Sequence, residues 1–127
     1  MRKSIKKSDR IKVHEKYNGH CAYCGKLIEY KDMQVDHIRP HREWLDAIVE
    51  GENIDSLSNL NPSCKRCNHY KRSLNLEKFR NYIKTLHERI SKDYIVKVGL
   101  DYGIVKITPF DGKFYYEKLE SEGNNDF

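Results

Sequence analysis

Two cysteine pairs, Cys21-x-x-Cys24 and Cys64-x-x-Cys67, stand with 39 residues between them in a chain of 127. Each pair offers two soft sulfurs at a spacing that suits one tetrahedral ion, so together they predict a single zinc site with four thiolate ligands. Such a site has no open coordination position, which makes the zinc structural and not catalytic. The separation exceeds the roughly 15–20 residues of a zinc ribbon, so the site closes a large loop with something else inside it. Two other uses of the thiols are weaker. A thioredoxin-like redox pair needs a neighbouring βαβ unit, and the sequence predicts none. Four inert buried cysteines would leave the paired spacing without a cause.

Composition explains why a staple is needed. Hydrophobic residues make up 38% of the chain and charged residues 34%, so the core is modest and a metal cross-link compensates. The length predicts one domain over residues 1–127, with a motif core at 17–72, an extension at 73–120 and a tail at 121–127. The opening MRKSIKKSDR has no apolar h-region, and no apolar run approaches the roughly 18 residues of a membrane span. The expectation is a cytoplasmic protein, with no membrane partner, in a reducing compartment that favours metal thiolates over disulfides. A net charge of +5 and a pI of about 9.0 fit a polyanionic partner such as nucleic acid. Arg2, Lys3, Lys6, Lys7, Arg10 and Lys12 crowd the first dozen residues, and the chain turns acidic from Glu117 onward. The basic arm reads equally well as a solvated, frayed end.

Local signals divide the chain into elements. Ser8-Asp9 can cap a helix that carries Ile11, Val13 and Tyr17 and stops at Asn18-Gly19. Gly25 follows the first cysteine pair, where a residue without Cβ lets backbone N–H groups turn toward sulfur. Met33–Ile38 alternates enough for a short strand ended by Pro40. Trp44, Leu45, Ile48 and Val49 have helical spacing, with Gly51 as the stop. Asn61-Pro62 reads as a chain break and Ser63 as the N-cap of the next helix. Leu76, Phe79, Tyr82, Ile83, Leu86 and Ile90 form one stripe, predicting a single helix over 76–90. The segment after Asp93 reads as a strand or as a short helix ending near Gly103. Asp111-Gly112, between Ile107 and Phe114-Tyr115, predicts a hairpin turn.

Between the cysteine pairs lie Asp36-His37, then Asn59, and after Cys67 come Asn68 and Lys71. Adjacent strand side chains point to opposite faces, so Asp36 and His37 could serve one site only where the strand ends or twists. The order C-x-x-C, D-H-x-x-P, N-L, C-x-x-C-N-x-x-K resembles the zinc-stapled HNH endonucleases, and it covers roughly Tyr17 to Arg72. The resemblance implies an α+β fold: a small ββα-metal core with flanking helices, to which the reading above adds a C-terminal strand or hairpin segment.

It also implies roles. His37 matches the general base that activates the attacking water, a task that suits neutral imidazole. Asp36 matches a hard oxygen ligand for a catalytic divalent ion, Mg2+ or Mn2+. Asn59 matches the middle Asn, which braces the histidine loop and transfers no proton. The residue after the last cysteine is commonly His in the family and is Asn68 here, with His69 one place later. Cys64, Cys67, Asn68 and Lys71 share one helical stripe, and His69 lies about 100° around, so Asn68 is the expected second metal ligand. Arg39, Lys71 and Arg72, with Lys65 and Arg66, could hold phosphates, or could be plain solvent-facing charges. His41 could approach the same phosphate. His14, His20 and His87 have no partner legible in sequence.

The leading expectation is therefore a metal-dependent endonuclease on double-stranded DNA, leaving 5′-phosphate and 3′-hydroxyl ends and acting as a monomer or homodimer. The alternatives are a zinc-stabilised nucleic-acid-binding module without catalysis and a zinc-scaffolded protein-interaction domain. On the first expectation Asp36→Ala keeps the fold and loses activity, whereas Cys64→Ser loses zinc and unfolds.

Overall fold

A computed structural model describes residues 5–124, with side chains described to residue 121. Arg2 and Lys3 of the basic arm, and the last three residues of the tail, lie outside the described residues. Helix α1 (Lys7–Glu15) begins ahead of the expected cap: Lys6 is the N-cap and no side chain bonds there. Asp9 falls inside the first turn, where its charge complements the helix dipole. The stop is as expected, with Asn18 at φ 56° and Gly19 at φ 81° carrying the chain out of the helix. Two basic side chains of this segment tie down main chain. Arg10 Nη2 donates to Met33 O at 2.6 Å, and Lys16 Nζ donates to Leu60 O at 2.9 Å.

The cysteine knuckle follows, closed by Gly25 N to Cys21 O at 3.0 Å and Cys21 N to Lys26 O at 2.7 Å. Strand β1 (Gln34–His37) then pairs antiparallel with β2 (Leu60–Ser63), joining Val35 to Pro62, Asp36 to Asn61 and His37 to Leu60. Between them lie a 3₁₀ turn at His41–Glu43, helix α2 (Trp44–Val49) and a second turn at Leu57–Asn59. The stripe of α2 faces outward: Trp44, Leu45, Ile48 and Val49 are exposed, and Ala47 is the buried residue.

Strand β2 corrects the expected chain break at Asn61-Pro62. Ile38 N donates to Asn59 O at 2.9 Å, and pairs alternate along an antiparallel ladder. Val35 and Pro62 therefore form a non-hydrogen-bonded pair, where a missing N–H costs nothing. Pro62 O turns the other way and accepts from Ala22 N at 2.8 Å, so the strand also carries the knuckle. Ser63 consequently ends β2, and Cys64 is the N-cap of α3 (Lys65–Lys71), its sulfur accepting from Cys67 N at 3.4 Å.

The chain falls into two compact units: Met1–Asn75 with Phe114–Phe127, and Leu76–Lys113. In the second unit the expected single helix is two, α4 (Leu76–Lys84) and α5 (Leu86–Ser91). The break has a local cause. Tyr82 O is taken by the Thr85 hydroxyl at 3.2 Å and by the Arg89 guanidinium, which competes with the helical ladder. Helix α6 (Tyr94–Asp101) follows, capped by Asp93 Oδ1 accepting from Ile95 N, and turns out at Gly103. Among the described residues no helix is long and apolar enough to cross a membrane.

The expected C-terminal hairpin is absent among the described residues. Asp111-Gly112 does turn, with Lys113 N on Asp111 Oδ1, but no strand follows. Phe114 N instead donates to Glu117 Oε1 at 2.8 Å, an N-terminal cap for α7 (Tyr115–Asn124). That helix returns to the first unit, where Tyr115 N and Tyr116 N bond Tyr23 O and Ala22 O. A Cβ on Gly25 would sit 2.7 Å from Tyr115 Cδ1, so the knuckle needs glycine for close approach as well as for its φ of 81°. Val13, Cys21, Ala22, Met33, Leu60, Phe114 and Tyr116 make the core of this unit. Burying each larger apolar side chain stabilises it by about 1.5–3 kcal/mol.

Candidate metal centre and active site

The two cysteine pairs meet where the knuckle lies beside the start of α3. Their four Sγ atoms are all within 4.8 Å of one another, with Cys24 and Cys64 at 3.9 Å. Packed thiols cannot ionise independently. Hydrogen bonds from Cys24 and Cys67 hold the Cys21 thiol well below its ordinary value. The hydrogen bond to Cys21 in turn pushes Cys24 up, and Cys67 rises further for the same reason. A dication at the centre removes that repulsion, and four sulfurs at tetrahedral spacing suit zinc. The residues present fit the ion.

The hairpin hung from this centre carries Asp36 and His37 on successive positions of β1. Their side chains part. The Asp36 carboxylate is only 5% exposed, and the Lys71 side chain facing it is fully buried. Tyr23 OH donates to Asp36 Oδ2 at 2.5 Å, and Lys71 Nζ lies 3.2 Å from Oδ2 and 3.3 Å from Oδ1. Lys71 Nζ also donates to His37 O at 3.1 Å and Leu74 O at 2.9 Å, which uses all three of its hydrogens. Burial pushes the Asp36 carboxyl above its ordinary value, and the Lys71 charge opposes that shift. Burial likewise lifts the Tyr23 hydroxyl well above its usual range, with the Asp36 charge adding to it.

His37 is 7% exposed, and its Nε2 lies 2.7 Å from Asp55 Oδ1. The His41 ring packs edge-on at 5.3 Å between centroids. Asn59 sits behind this pair. Its Oδ1 accepts from Arg39 N at 2.8 Å, and its Nδ2 donates to Ile54 O at 2.8 Å and Arg39 O at 3.1 Å. One amide thus joins the stretch two residues past His37 to the residue just before Asp55.

The basic residues divide sharply. Lys71 does not reach outward to a phosphate as expected, because its ammonium is buried and saturated. Arg39 is also spoken for. Nη1 meets Glu50 at 2.6 Å and Glu52 at 3.0 Å, and Nε meets Glu43 at 3.0 Å. Those hydrogen bonds, Glu50 first, raise its pKa further, and the cluster pins α2 and its following loop to the end of β1. Arg72, Lys65, Arg66 and His69 are exposed, and Asn68 is half-buried with no side-chain hydrogen bond to a described residue. Lys65, Arg66 and His69 line one side of an open groove of about 800 Å³ that also includes Lys26, Glu29 and Asp32.

The chemistry of Asp36 and Asn68, one carboxylate and one amide oxygen, suits a divalent ion. An ion at Asp36 would have to compete there with the Lys71 ammonium. Sequence reasoning missed two partners, Tyr23 and Asp55. Tyr23 hides inside the cysteine knuckle, and Asp55 sits in a turn-rich stretch with no local pattern to distinguish it.

A zinc-type thiolate centre, a two-stranded antiparallel hairpin and a helix beginning at the second cysteine pair define a ββα-metal module. Residues 21–73 match the family model described as HNH endonuclease, and this segment is an HNH domain. The family points to nuclease chemistry on a nucleic acid. No curated protein matches the chain.

Proposed function

We propose that this protein is a metal-dependent DNA endonuclease in which His37 is the general base. The observation that carries the reading is the anchoring of His37: its imidazole is held by Asp55 at the loop end of a zinc-stapled hairpin inside an HNH domain. The His37 imidazole would take a proton from a water molecule as that water's oxygen bonds to phosphorus. The P–O3′ bond then breaks, leaving a 5′-phosphate and a 3′-oxygen that gains a proton to become hydroxyl. Asp36 and Asn68 would hold Mg2+ or Mn2+, which when bound supplies charge stabilisation at the phosphate and the leaving oxygen. Asn59 would brace the loops and transfer no proton, a role its three hydrogen bonds to Arg39 and Ile54 support. Arg72, Lys65 and Arg66 are exposed cations suited to phosphates of double-stranded DNA. A single site per chain nicks one strand; a double-strand break needs two chains or two encounters. The reducing interior of a cell is the setting in which the four thiolates stay available to zinc.

The pairing of Asp36 with Lys71 favours a second reading, a zinc-stabilised nucleic-acid-binding module without hydrolysis. Nicking of supercoiled plasmid separates the two. Wild-type protein with Mg2+ or Mn2+ should convert supercoiled to open-circular DNA, and folded His37→Ala should not. Plasmid binding without metal-dependent nicking by wild type establishes the second reading instead.

A further inference from the structure

We infer that Asp55 is a positioning residue that fixes which nitrogen of His37 is free to accept a proton. The inference rests on the nuclease reading for its consequence, but on hydrogen-bond geometry for its substance. The contact between His37 Nε2 and Asp55 Oδ1 is 2.7 Å, short for N–H to oxygen and typical of a charged acceptor. An ionised carboxylate only accepts, so Nε2 must carry the hydrogen. In neutral His37 that leaves Nδ1 with the lone pair. Nδ1 makes no hydrogen bond to any described residue. The buried unpartnered side-chain atoms among the described residues are Asn61 Nδ2 and His87 Nδ1, so His37 Nδ1 meets solvent. The imidazole therefore presents a lone pair outward and its N–H inward to Asp55.

A plain surface ion pair would not be built this way. The Asp55 backbone is held on both sides. Its own N–H bonds Asn53 Oδ1 at 3.0 Å, and the preceding carbonyl, Ile54 O, is gripped by Asn59 Nδ2. Asn59 grips Arg39 through both N–H and C=O, so the loops that carry His37 and Asp55 are fixed to each other through one side chain. His37 itself is nearly buried, which stops its ring from turning to exchange nitrogens. A carboxylate behind an imidazole holds its orientation and tautomer, and losing such a partner at a metal-ligating histidine typically costs about 10- to 100-fold in affinity or activity, which sets the scale here. The His41 ring stands at 69° to that of His37, with 5.3 Å between centroids.

The test has two readouts on the full zinc-loaded chain. Long-range ¹H–¹⁵N correlation spectra report the protonated nitrogen of His37 directly and require no activity. Wild type should show Nε2–H and an unprotonated Nδ1. Asp55→Ala should lose that preference, giving averaged nitrogen shifts, and Asp55→Glu should partly restore it. In plasmid nicking Asp55→Ala should lower kcat by roughly 10- to 100-fold with KM little changed. Zinc content and the melting transition establish that each variant is folded; if Asp55→Ala is not, Asp55→Leu, close in size and without an acceptor, serves in its place. An unchanged His37 tautomer in a folded variant that has lost the acceptor overturns the inference, even if kcat falls. A shifted tautomer in a chain whose wild type never nicks DNA upholds the positioning role and removes the nuclease reading alone.

Discussion

Asp36 and His37 are neighbours in sequence with opposite fates. The Asp36 side points into the module, where Lys71 and Tyr23 close around its carboxylate. The His37 side points to the rim, where one ring nitrogen is held and the other meets solvent. One strand therefore has a face whose polar groups hold the fold and a face whose polar group is the proposed general base. The difference matters for mutation. On the proposed function, activity lost on changing Asp36 would mix unfolding with catalysis, whereas activity lost on changing His37 would report chemistry.

The largest effect should come from removing the frame that both faces share. Cys64→Ser takes one sulfur from the thiolate cluster, and structural zinc in small domains is worth about 10–16 kcal/mol of folding free energy. Zinc content by atomic absorption and far-ultraviolet circular dichroism should show a metal-poor, unfolded chain. A folded protein without zinc would refute the staple.

Next is the buried pair. Asp36→Ala leaves the Lys71 ammonium unpaired, and Lys71→Ala does the same to the carboxylate, so each should cost about 3–5 kcal/mol in urea unfolding. That outcome reverses the expectation from sequence that Asp36→Ala keeps the fold intact. The Lys71 variant adds a pH test. Burial already raises the Asp36 pKa above its unfolded value, and losing Lys71 removes the charge that opposes this. The native state then binds more protons than the unfolded chain between the two pKa values, so stability falls as pH rises through that window. The penalty of Lys71→Ala should accordingly shrink on acidification through the folded pKa of Asp36. A penalty independent of pH would mean that Asp36 is not the buried acid.

His37→Ala should sharpen the contrast. Its Asp55 partner is over a third exposed, so water replaces the lost contact and the stability change should stay near 1 kcal/mol while nicking disappears. A loss as large as that of Asp36→Ala would erase the distinction between the faces. The smallest effect belongs to the next residue after Lys71. Arg72 is exposed, and Arg72→Ala should leave urea unfolding unchanged while the salt dependence of DNA binding becomes shallower by about one counterion. An unaltered salt slope would remove Arg72 from the DNA contact.

Much of this was legible in local spacing. Cysteine pairs two residues apart declare a metal site because chelation fixes the spacing. Asn18-Gly19 and Gly25 declare turns because few residues tolerate positive φ. Asn59 was legible through its place in the HNH pattern. Partners were not. Arg39 and Lys71 look alike as basic residues near the site, yet three glutamates hold one and the interior holds the other. Nor could the sequence show that Pro62 sits within a strand, since this depends on which side of the ladder its missing N–H faces.

By itself, then, the sequence determined the two chelating cysteine pairs, because chelation fixes their short spacing, and its resemblance to the HNH pattern pointed to the class of module and to His37. Only the tertiary structure decided that Lys71 is buried, that Arg39 is engaged and that Asp55 stands behind His37. Those pairings bring together residues up to 35 positions apart, and which approach is made depends on how the hairpin and α3 pack around zinc.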